Sequence, residues 1–253
     1  MDERYAGHRV VLISKTVFLL ILFLLCQLGS EFKFQSAAEN NTKVGDLPGP
    51  EVDGFTDMMS SLQWKARPPK LSSCCREMVK LSSNITITCR VDKGTPHISG
   101  IIMESVALTG KIPEHVAALT YLQTLDLSDN TIHGSIPYQI GYLFQLITLS
   151  VPENGLRGTL PPELGKLSNL EELWLTSNNL RGDLPKDYEN LKNLTILEIA
   201  GNYLSGRIPR FIAKWDNLYF LNLPNNNSRI NLTFPEEIMR KYCPAGQKKS
   251  QQL

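Results

Sequence analysis

The chain has 253 residues, of which 42% are hydrophobic and 20% are charged. This is enough for one medium domain with a continuous core, and it excludes a large multi-domain enzyme. The formal net charge is +1, from 26 Lys and Arg residues against 25 Asp and Glu residues, and no basic cluster stands out along the sequence. Charge therefore gives no basis for binding nucleic acid.

The N-terminus has the composition of a secretory signal. Arg4, Arg9 and Lys15 precede an unbroken apolar run from Val17 to Cys26. A basic flank followed by a short apolar stretch is typical of a signal peptide, whereas a membrane span needs about 20 apolar residues. We assign residues 1–30 to a signal peptide, with a retained signal anchor as the alternative. Both direct the chain into the secretory pathway, and only the uncleaved anchor would hold it at a membrane.

Secretion changes the interpretation of the cysteines and asparagines. Disulfides persist outside the cell, and Cys89 can pair with either Cys74 or Cys75 more easily than these two neighbours can pair with each other. Five Asn-x-Ser/Thr acceptors agree with a secreted chain. The acceptors are Asn40, Asn84, Asn193, Asn226 and Asn231, and all of them except Asn226 are candidate glycosylation sites.

Two segments of different composition follow the signal. Residues 31–54 are polar and show no periodicity, so we expect a flexible leader there. Residues 55–97 are mixed, and we predict a short helix through Met58 and Leu62 and a strand at Ile85–Cys89 (ITITC). This second segment precedes a regular repeat and is its natural N-terminal cap.

A pattern of 24 residues recurs about six times over residues 98–225. Aliphatic residues fill three columns of each unit, asparagine fills a fourth, and glycine and proline fill later ones. The asparagine column contains Asn130, Asn154, Asn178, Asn202 and Asn226, with Val106 in its place in the first unit. This LxxLxLxxNxLxGxIP spacing falls within the range of leucine-rich repeats.

The spacing predicts the fold. In LxLxxN the alternating leucines point inward from a short strand, and stacked coils bury them in one continuous core. The asparagine amide can bond the backbone of the turn, so we expect Asn226 to be unused as a glycan acceptor. We predict an α/β repeat, a plant-type leucine-rich-repeat solenoid with a parallel β-sheet on the concave face. Residues 226–253 would form the C-terminal cap and tail.

Four stretches carry a closer resemblance: ITC at 87–89, HISGIIMESVALTGKIP at 97–113, LPPELGKLSNLEELWLTSNNLRGDLP at 160–185 and IPRFIAKWDNL at 208–218. In these the chain resembles the ectodomain of plant leucine-rich-repeat receptor-like serine/threonine kinases, in the subfamily with a malectin-like domain. The resemblance implies a recognition module facing the apoplast or attached to the plasma membrane, with a receptor kinase as a partner. The chain departs from this family at Pro96, where the family tends to carry cysteine. No malectin-like domain, span or kinase fits in the roughly 30 residues after the last repeat.

No combination of residues predicts chemistry. The histidines lie in separate coils without Cys or Glu at ligand spacing. Asp126, Ser128 and Asn130 resemble the start of a calcium loop, but Thr131 stands where glycine is needed. No motif supports Ser-His-Asp catalysis. We therefore expect no enzymatic activity, no metal and no cofactor.

The outward positions of the predicted strands form the candidate binding face. They contain several acids and no Lys or Arg, while basic residues fall mainly on the return paths. Aromatic side chains in a groove are common contact residues, and acids attract a cationic partner, so we expect a protein or peptide ligand of basic character. The candidate contact residues are Glu104, Asp126, Asp129, Glu153, Glu172, Trp174, Glu198 and Phe220. The other outward positions include Ile102, Ser150, Ile196 and Asn222.

Two further functions fit the same pattern. The chain could be a truncated fragment of a receptor-like serine/threonine kinase, in which case the activity would belong to residues outside it. It also resembles the secreted plant inhibitors of polygalacturonases, which degrade the cell wall, although those inhibitors usually have more repeats. A fold shared with receptors does not by itself name a ligand.

The N-terminal segment generates the first testable prediction. N-terminal sequencing of the protein secreted from plant cells should begin between about residues 30 and 39, because the basic and apolar segments are removed with a signal peptide. A membrane-bound protein that retains Met1 would contradict cleavage and support the anchor.

Overall fold

The computed structural model describes residues 47–64, 79–223 and 230–231. All of them belong to the second of two compact units, Lys43–Leu253. The assigned signal, most of the leader, Cys74, Cys75, Asn40 and Asn226 lie outside the described residues, as does the C-terminal cap apart from residues 230–231. Within the described ranges, no helix has the length and apolar character needed to cross a bilayer.

Helix α1, Gly49–Ser61, packs against the first repeat. It buries Phe55, Met58 and Met59, so the expected helix is present. The boundary placed at residue 54 was wrong, because residues 49–54 are helical and not part of a leader. Pro50 lies in the first turn of this helix, where proline is tolerated because its missing N–H would have no partner.

A buried carboxylate anchors α1 to the sheet. Glu51 is 3% exposed, and its Oε1 lies 2.5 Å from Nδ1 of His97. Its Oε2 accepts a hydrogen bond from the backbone N–H of Ile98 at 2.9 Å. The His97 ring in turn stacks on Tyr121, with the ring centroids 3.6 Å apart. A carboxylate buried in this way is tolerated only because both of its oxygens have partners.

The strands form three sheets. The largest has eight strands in the order β1-β2-β3-β4-β6-β8-β10-β13, a second has the order β5-β7-β9-β11, and β12 pairs with β14. The bounds are β1 Val79–Ser82, β2 Ile85–Asp92, β3 Thr95–Met103, β4 Thr124–Asp126, β5 His133–Gly134, β6 Thr148–Ser150, β7 Gly155–Thr159, β8 Glu172–Trp174, β9 Asn179–Gly182, β10 Ile196–Glu198, β11 Tyr203–Leu204, β12 Gly206–Arg207, β13 Phe220–Asn222 and β14 Ile230–Asn231.

The register of the large sheet confirms the predicted parallel repeat. The hairpin β1–β2 and strand β3 pair antiparallel at one edge, and every pair from β3 to β13 is parallel. From β4 onward the inward leucines face one another across the ladder, each 24 residues after the last. They are Leu125, Leu149, Leu173, Leu197 and Leu221. The first four are fully buried, whereas Leu221 at the end of the described repeats is partly buried.

Each return path contains one short 3₁₀ helix directly after the proline of its repeat. The five are Glu114–Ala118, Tyr138–Tyr142, Pro162–Lys166, Lys186–Asn190 and Arg210–Lys214. Glycine lets consecutive return paths approach closely. A Cβ added to Gly165 would lie 2.4 Å from the backbone oxygen of Asp187, so no larger residue fits there without a shift.

The asparagine column forms a ladder of side-chain amides along the turns, as predicted. Asn178 Oδ1 accepts the N–H of Leu156 at 3.0 Å, and its Nδ2 donates to the carbonyls of Val151 at 2.9 Å and Leu175 at 3.1 Å. Each amide thus joins its own turn to the preceding coil. The other described members with the same set of bonds are Asn130, Asn154 and Asn202.

This ladder generates a stability prediction. Asn178→Ala should lower the free energy of unfolding by about 1–3 kcal/mol, because it leaves the N–H of Leu156 without a partner. It also removes one of the two amide donors that each of the Val151 and Leu175 carbonyls has. Chemical denaturation monitored by circular dichroism measures the change. Asn179→Ala is the matched control, since Asn179 is the exposed neighbour in sequence, and it should change stability by less than about 0.5 kcal/mol. Equal losses in the two variants would show that the ladder does not stabilise the turns.

Candidate functional site

The strands β4, β6, β8, β10 and β13 present two rows of side chains opposite the core. Each strand has three residues, with the inward leucine in the middle, so its first and third residues point outward. The first row is Thr124, Thr148, Glu172, Ile196 and Phe220, and the second is Asp126, Ser150, Trp174, Glu198 and Asn222. We call these two rows the outward sheet face.

Two aromatic rings converge on this face. Trp174 on β8 and Phe220 on β13 are separated by the strand β10, that is, by two strand spacings or about 10 Å. Their ring centroids nevertheless lie only 6.3 Å apart, with the ring planes at 29°. At least one of the two side chains therefore leans over β10 toward the other. Ile196, which the sequence placed among the outward positions, is consequently only 6% exposed.

Two carboxylates flank the aromatic pair. Glu172 Oε2 accepts a hydrogen bond from Nε1 of Trp174 at 3.2 Å, which fixes the direction of the indole ring. Glu198 Oε1 accepts one from Nδ2 of Asn222 at 2.8 Å. Within the part of the chain that the structure describes, neither carboxylate forms a salt bridge. We refer to Glu172, Trp174, Glu198 and Phe220 as the aromatic–acid cluster.

Asp126 has a different role from the two glutamates. Its Oδ1 accepts a hydrogen bond from the backbone N–H of Ser128 at 3.0 Å and another from the Ser128 hydroxyl. The Ser128 hydroxyl also contacts the hydroxyl of Ser150 at 2.9 Å, and Ser150 is only 7% exposed. Asp126 lies on the outward sheet face as expected, but its carboxylate is engaged by its own turn.

The other three candidate acids lie beyond the ends of the strands. Glu104 follows β3 directly, and Asp129 and Glu153 occupy turns in which their φ angles are 53° and 52°. Few L-residues adopt this left-handed conformation, and Asp is among those that do so most readily. Asp129 also accepts a hydrogen bond from the hydroxyl of Ser105 at 2.5 Å. These acids form a rim beside the outward sheet face and do not join the aromatic–acid cluster.

The sequence analysis missed an exposed aromatic residue next to the outward sheet face. Tyr219 precedes Phe220 and is 74% exposed. In every repeat this position lies just before the strand. The alternation of inward and outward residues along the strand does not extend to it. The sequence offered one sign of it. The same position holds Gln123 and Thr195 in earlier repeats and an aromatic residue in the last described coil.

The covalent sites are described only in part. Cys89 is partly buried on β2, whereas its predicted partners lie outside the described residues. Asn193 is exposed beside the start of β10, and Asn84 is partly exposed in the turn between β1 and β2. Asn231 lies in β14, where only the backbone is described. These predicted disulfide and glycan positions therefore stay predictions.

Two grooves between described residues lie away from the aromatic–acid cluster. A groove of about 730 Å³ runs along the return paths, and a smaller one of about 180 Å³ lies beside the strand starts. Neither contains a residue of the aromatic–acid cluster. Among the described residues, no three His, Cys, Asp or Glu side chains lie close enough to hold a metal ion. An open surface of this kind suits a protein or peptide better than a small molecule.

Comparison with known families identifies the repeat. Residues 105–200 match the family described as leucine-rich repeat region, and residues 193–215 match the family described as leucine rich repeat. The protein has a leucine-rich-repeat fold. No match was found among curated proteins.

Solved structures give a more specific similarity. The leucine-rich-repeat ectodomain of the receptor kinase SOBIR1 from Arabidopsis thaliana is 26% identical, with a TM-score of 0.62, over 73% of this chain and 97% of that one. A chain of the BIR3–SERK2 complex from Arabidopsis thaliana is 29% identical, with a TM-score of 0.52, over 70% and 97%. The structure of PEPR1-AtPEP1 matches at 27% identity and a TM-score of 0.57, over 68% of this chain and 24% of that one. The repeats therefore resemble plant receptor kinase ectodomains, as the sequence indicated.

The position of Asn193 generates a prediction about glycosylation. Its Nδ2 donates to the carbonyl of Ser168 at 2.9 Å, and a glycosylated amide keeps one N–H for this bond. Site-resolved mass spectrometry of the secreted protein should show a glycan at Asn193, which Asn193→Gln removes. An unmodified Asn193 in protein that carries a glycan at Asn84 would contradict this assignment.

Proposed function

We propose that this protein is an extracellular recognition module that binds a basic peptide, or a basic patch of a protein, through its outward sheet face. The proposal rests chiefly on the convergence of Trp174 and Phe220 beside two carboxylates that no described cation neutralises. Its role would be receptor-like signalling or that of a co-receptor, in the extracellular space or at the plasma membrane.

The aromatic–acid cluster suits such a ligand for energetic reasons. Aromatic side chains contribute large contact areas at a small cost in conformational entropy, and they dominate many interfaces. A Lys or Arg of the ligand placed over Trp174 would gain a cation–π contact in addition to its attraction to Glu172 and Glu198. The hydrogen bond from the indole to Glu172 holds Trp174 in place before the ligand arrives, which lowers the cost of ordering it.

The remaining acids would act at longer range. Asp129 and Glu153 are exposed on the rim, and Glu104 lies beside them at the end of β3. Charges at the edge of an interface mainly accelerate the encounter of the partners and contribute less to the final affinity. We therefore assign the contact energy to the aromatic–acid cluster and assign the steering of a cationic ligand to the rim.

We also propose the subfamily and a class of partner. The stretches at 97–113 and 160–185 support membership in the receptor-kinase subfamily with a malectin-like domain. The similarity to a chain of the BIR3–SERK2 complex supports a receptor kinase as the partner. This similarity reflects a shared fold and shared repeats, so it names a class of partner and not an individual one.

The decisive experiment removes the aromatic anchor. The ligand is first captured from cell-wall extract with the secreted protein, and its affinity is then measured by surface plasmon resonance. Trp174→Ala should weaken binding by about 2 kcal/mol or more. Phe144→Ala is the matched control, because Phe144 is a 56% exposed aromatic residue outside the outward sheet face. Unchanged binding by Trp174→Ala would exclude the aromatic–acid cluster as the contact site.

A second experiment separates charge from contact. The double variant Glu172→Lys/Glu198→Lys should slow association and flatten its dependence on salt, since it reverses the charge beside the aromatic pair. The control Glu114→Lys/Glu163→Lys makes the same change in charge on the return paths and should leave the association rate within about threefold of the original. Faster association or tighter binding by the first variant would refute a basic ligand.

A further inference from the structure

A second charged surface lies on the return paths. There the small sheet β5-β7-β9-β11 and the strand β12 carry exposed basic side chains on consecutive coils. Together with Lys111 on the preceding coil, these residues form a line across the repeats, which we call the basic stripe. Its members are Lys111, His133, Arg157, Arg181 and Arg207, all of them exposed.

Among the described residues, few acids lie near the basic stripe. Within the described part of the chain, none of its Lys and Arg side chains forms a salt bridge. One acid lies among the basic residues, Asp183, whose Oδ1 accepts a hydrogen bond from the hydroxyl of Ser205 at 2.7 Å. The net charge of the whole chain is only +1, so the stripe reflects where the charges lie and not an excess of basic residues.

An aromatic ring and neutral polar groups lie within the stripe. The ladder places Thr159 beside Arg181 and Arg181 beside Tyr203, and it places Arg157 beside Asn179. The guanidinium carbon of Arg181 lies 5.8 Å from the centre of the Tyr203 ring, which is 39% exposed. Guanidinium groups, an exposed ring face, a hydroxyl and an amide therefore share one surface.

The arrangement is linear and repeats from coil to coil. The ladder pairs residues 22 positions apart, whereas His133, Arg157 and Arg181 recur every 24 residues, so each is displaced by two residues along the strand from the one before it. With strands about 4.8 Å apart and a rise of about 3.3 Å per residue, neighbouring Cα atoms in this oblique line lie roughly 8 Å apart. Such a line matches a polymer that carries negative charges at regular intervals. A compact anion would engage one or two of these residues and leave the others without a partner.

We propose that the basic stripe binds an acidic polysaccharide, specifically a polyuronate with one carboxylate on each sugar. Arg157 and Arg181 pair with two carboxylates of the same polymer, for which the planar guanidinium offers two parallel N–H donors. A sugar ring packs on the exposed face of Tyr203, and Asn179 and Thr159 bond sugar hydroxyls. The outward sheet face remains free, so this binding is independent of the function proposed above.

The test measures binding of the full secreted chain to immobilised polygalacturonate over a range of NaCl concentrations. The unmodified protein should bind, and salt should weaken the binding because it screens the charges. Arg157→Gln/Arg181→Gln should weaken it about tenfold or more, since each substitution removes charge-assisted hydrogen bonds. The control Lys186→Gln/Lys192→Gln removes the same charge from two exposed residues outside the stripe and should stay within about twofold.

Two further measurements distinguish a polyuronate from other anions. Fully methyl-esterified polygalacturonate, which has the same sugars without the charge, should fail to bind. Tyr203→Ala should weaken binding without changing its dependence on salt, because the ring contributes contact and no charge. Unchanged thermal unfolding would show that each variant is folded, which we expect because the substituted side chains are all exposed.

Several outcomes would overturn the proposal. They are no binding of the unmodified protein at low salt, equal weakening by the two double variants, and equal binding of the methyl ester. Double-stranded DNA that bound as tightly as polygalacturonate would show a general anion surface and refute the assignment to polyuronates. Binding of polygalacturonate that remained intact in Glu172→Lys/Glu198→Lys but was lost in the stripe variant would support it and leave the proposed peptide site untouched.

Discussion

Each coil of this protein leaves its strand through a turn whose polar backbone groups no sheet ladder can reach, and one asparagine amide satisfies them. Buried N–H and C=O groups without partners are costly, so the turn could not be buried against the next coil without this amide. Asn130, Asn154, Asn178 and Asn202 meet that requirement with the same pattern of bonds. The regular spacing of the strands, and of every side chain that they carry, depends on it.

That spacing determines what each surface can present. In a parallel ladder with a constant shift of 24 residues, corresponding side chains of successive coils lie in straight rows. On the large sheet the rows bring acids together around Trp174 and Phe220. On the return paths, where the ladder pairs residues 22 apart, Arg157 and Arg181 fall on an oblique line with other basic residues. A nearly neutral chain thereby has an acidic face and a separate basic one, although neither is visible in the net charge.

The sequence predicted the parts of the structure that repeat. The columns of leucine and asparagine encode the contacts between coils, so the parallel sheet, the inward leucines and the amide ladder all followed from periodicity. The strand alternation likewise predicted which candidate site residues face outward, such as Glu172 and Glu198.

The other features of the structure depend on contacts that do not recur from repeat to repeat, so the periodicity of the sequence does not predict them. Whether Trp174 and Phe220 lean toward each other is decided by their rotamers, which spacing does not specify. Asp129 and Glu153 were assigned to columns flanking the strands, but the left-handed turn moves them onto the rim. The buried pair of Glu51 and His97 joins residues 46 positions apart, one of them in a segment taken for a leader.

Gly165, a buried glycine of the return paths, limits how the length of such a chain can change during evolution. At Gly165 the constraint comes from the backbone of the next coil and not from a distant part of the molecule. The packing of each coil therefore has to be compatible only with the two neighbouring coils. A duplication or deletion of one whole 24-residue unit preserves every such junction, while a gain or loss of a single residue breaks two of them. Proteins of this design can lengthen or shorten in whole coils, and the distance between their surface sites would then change in fixed steps.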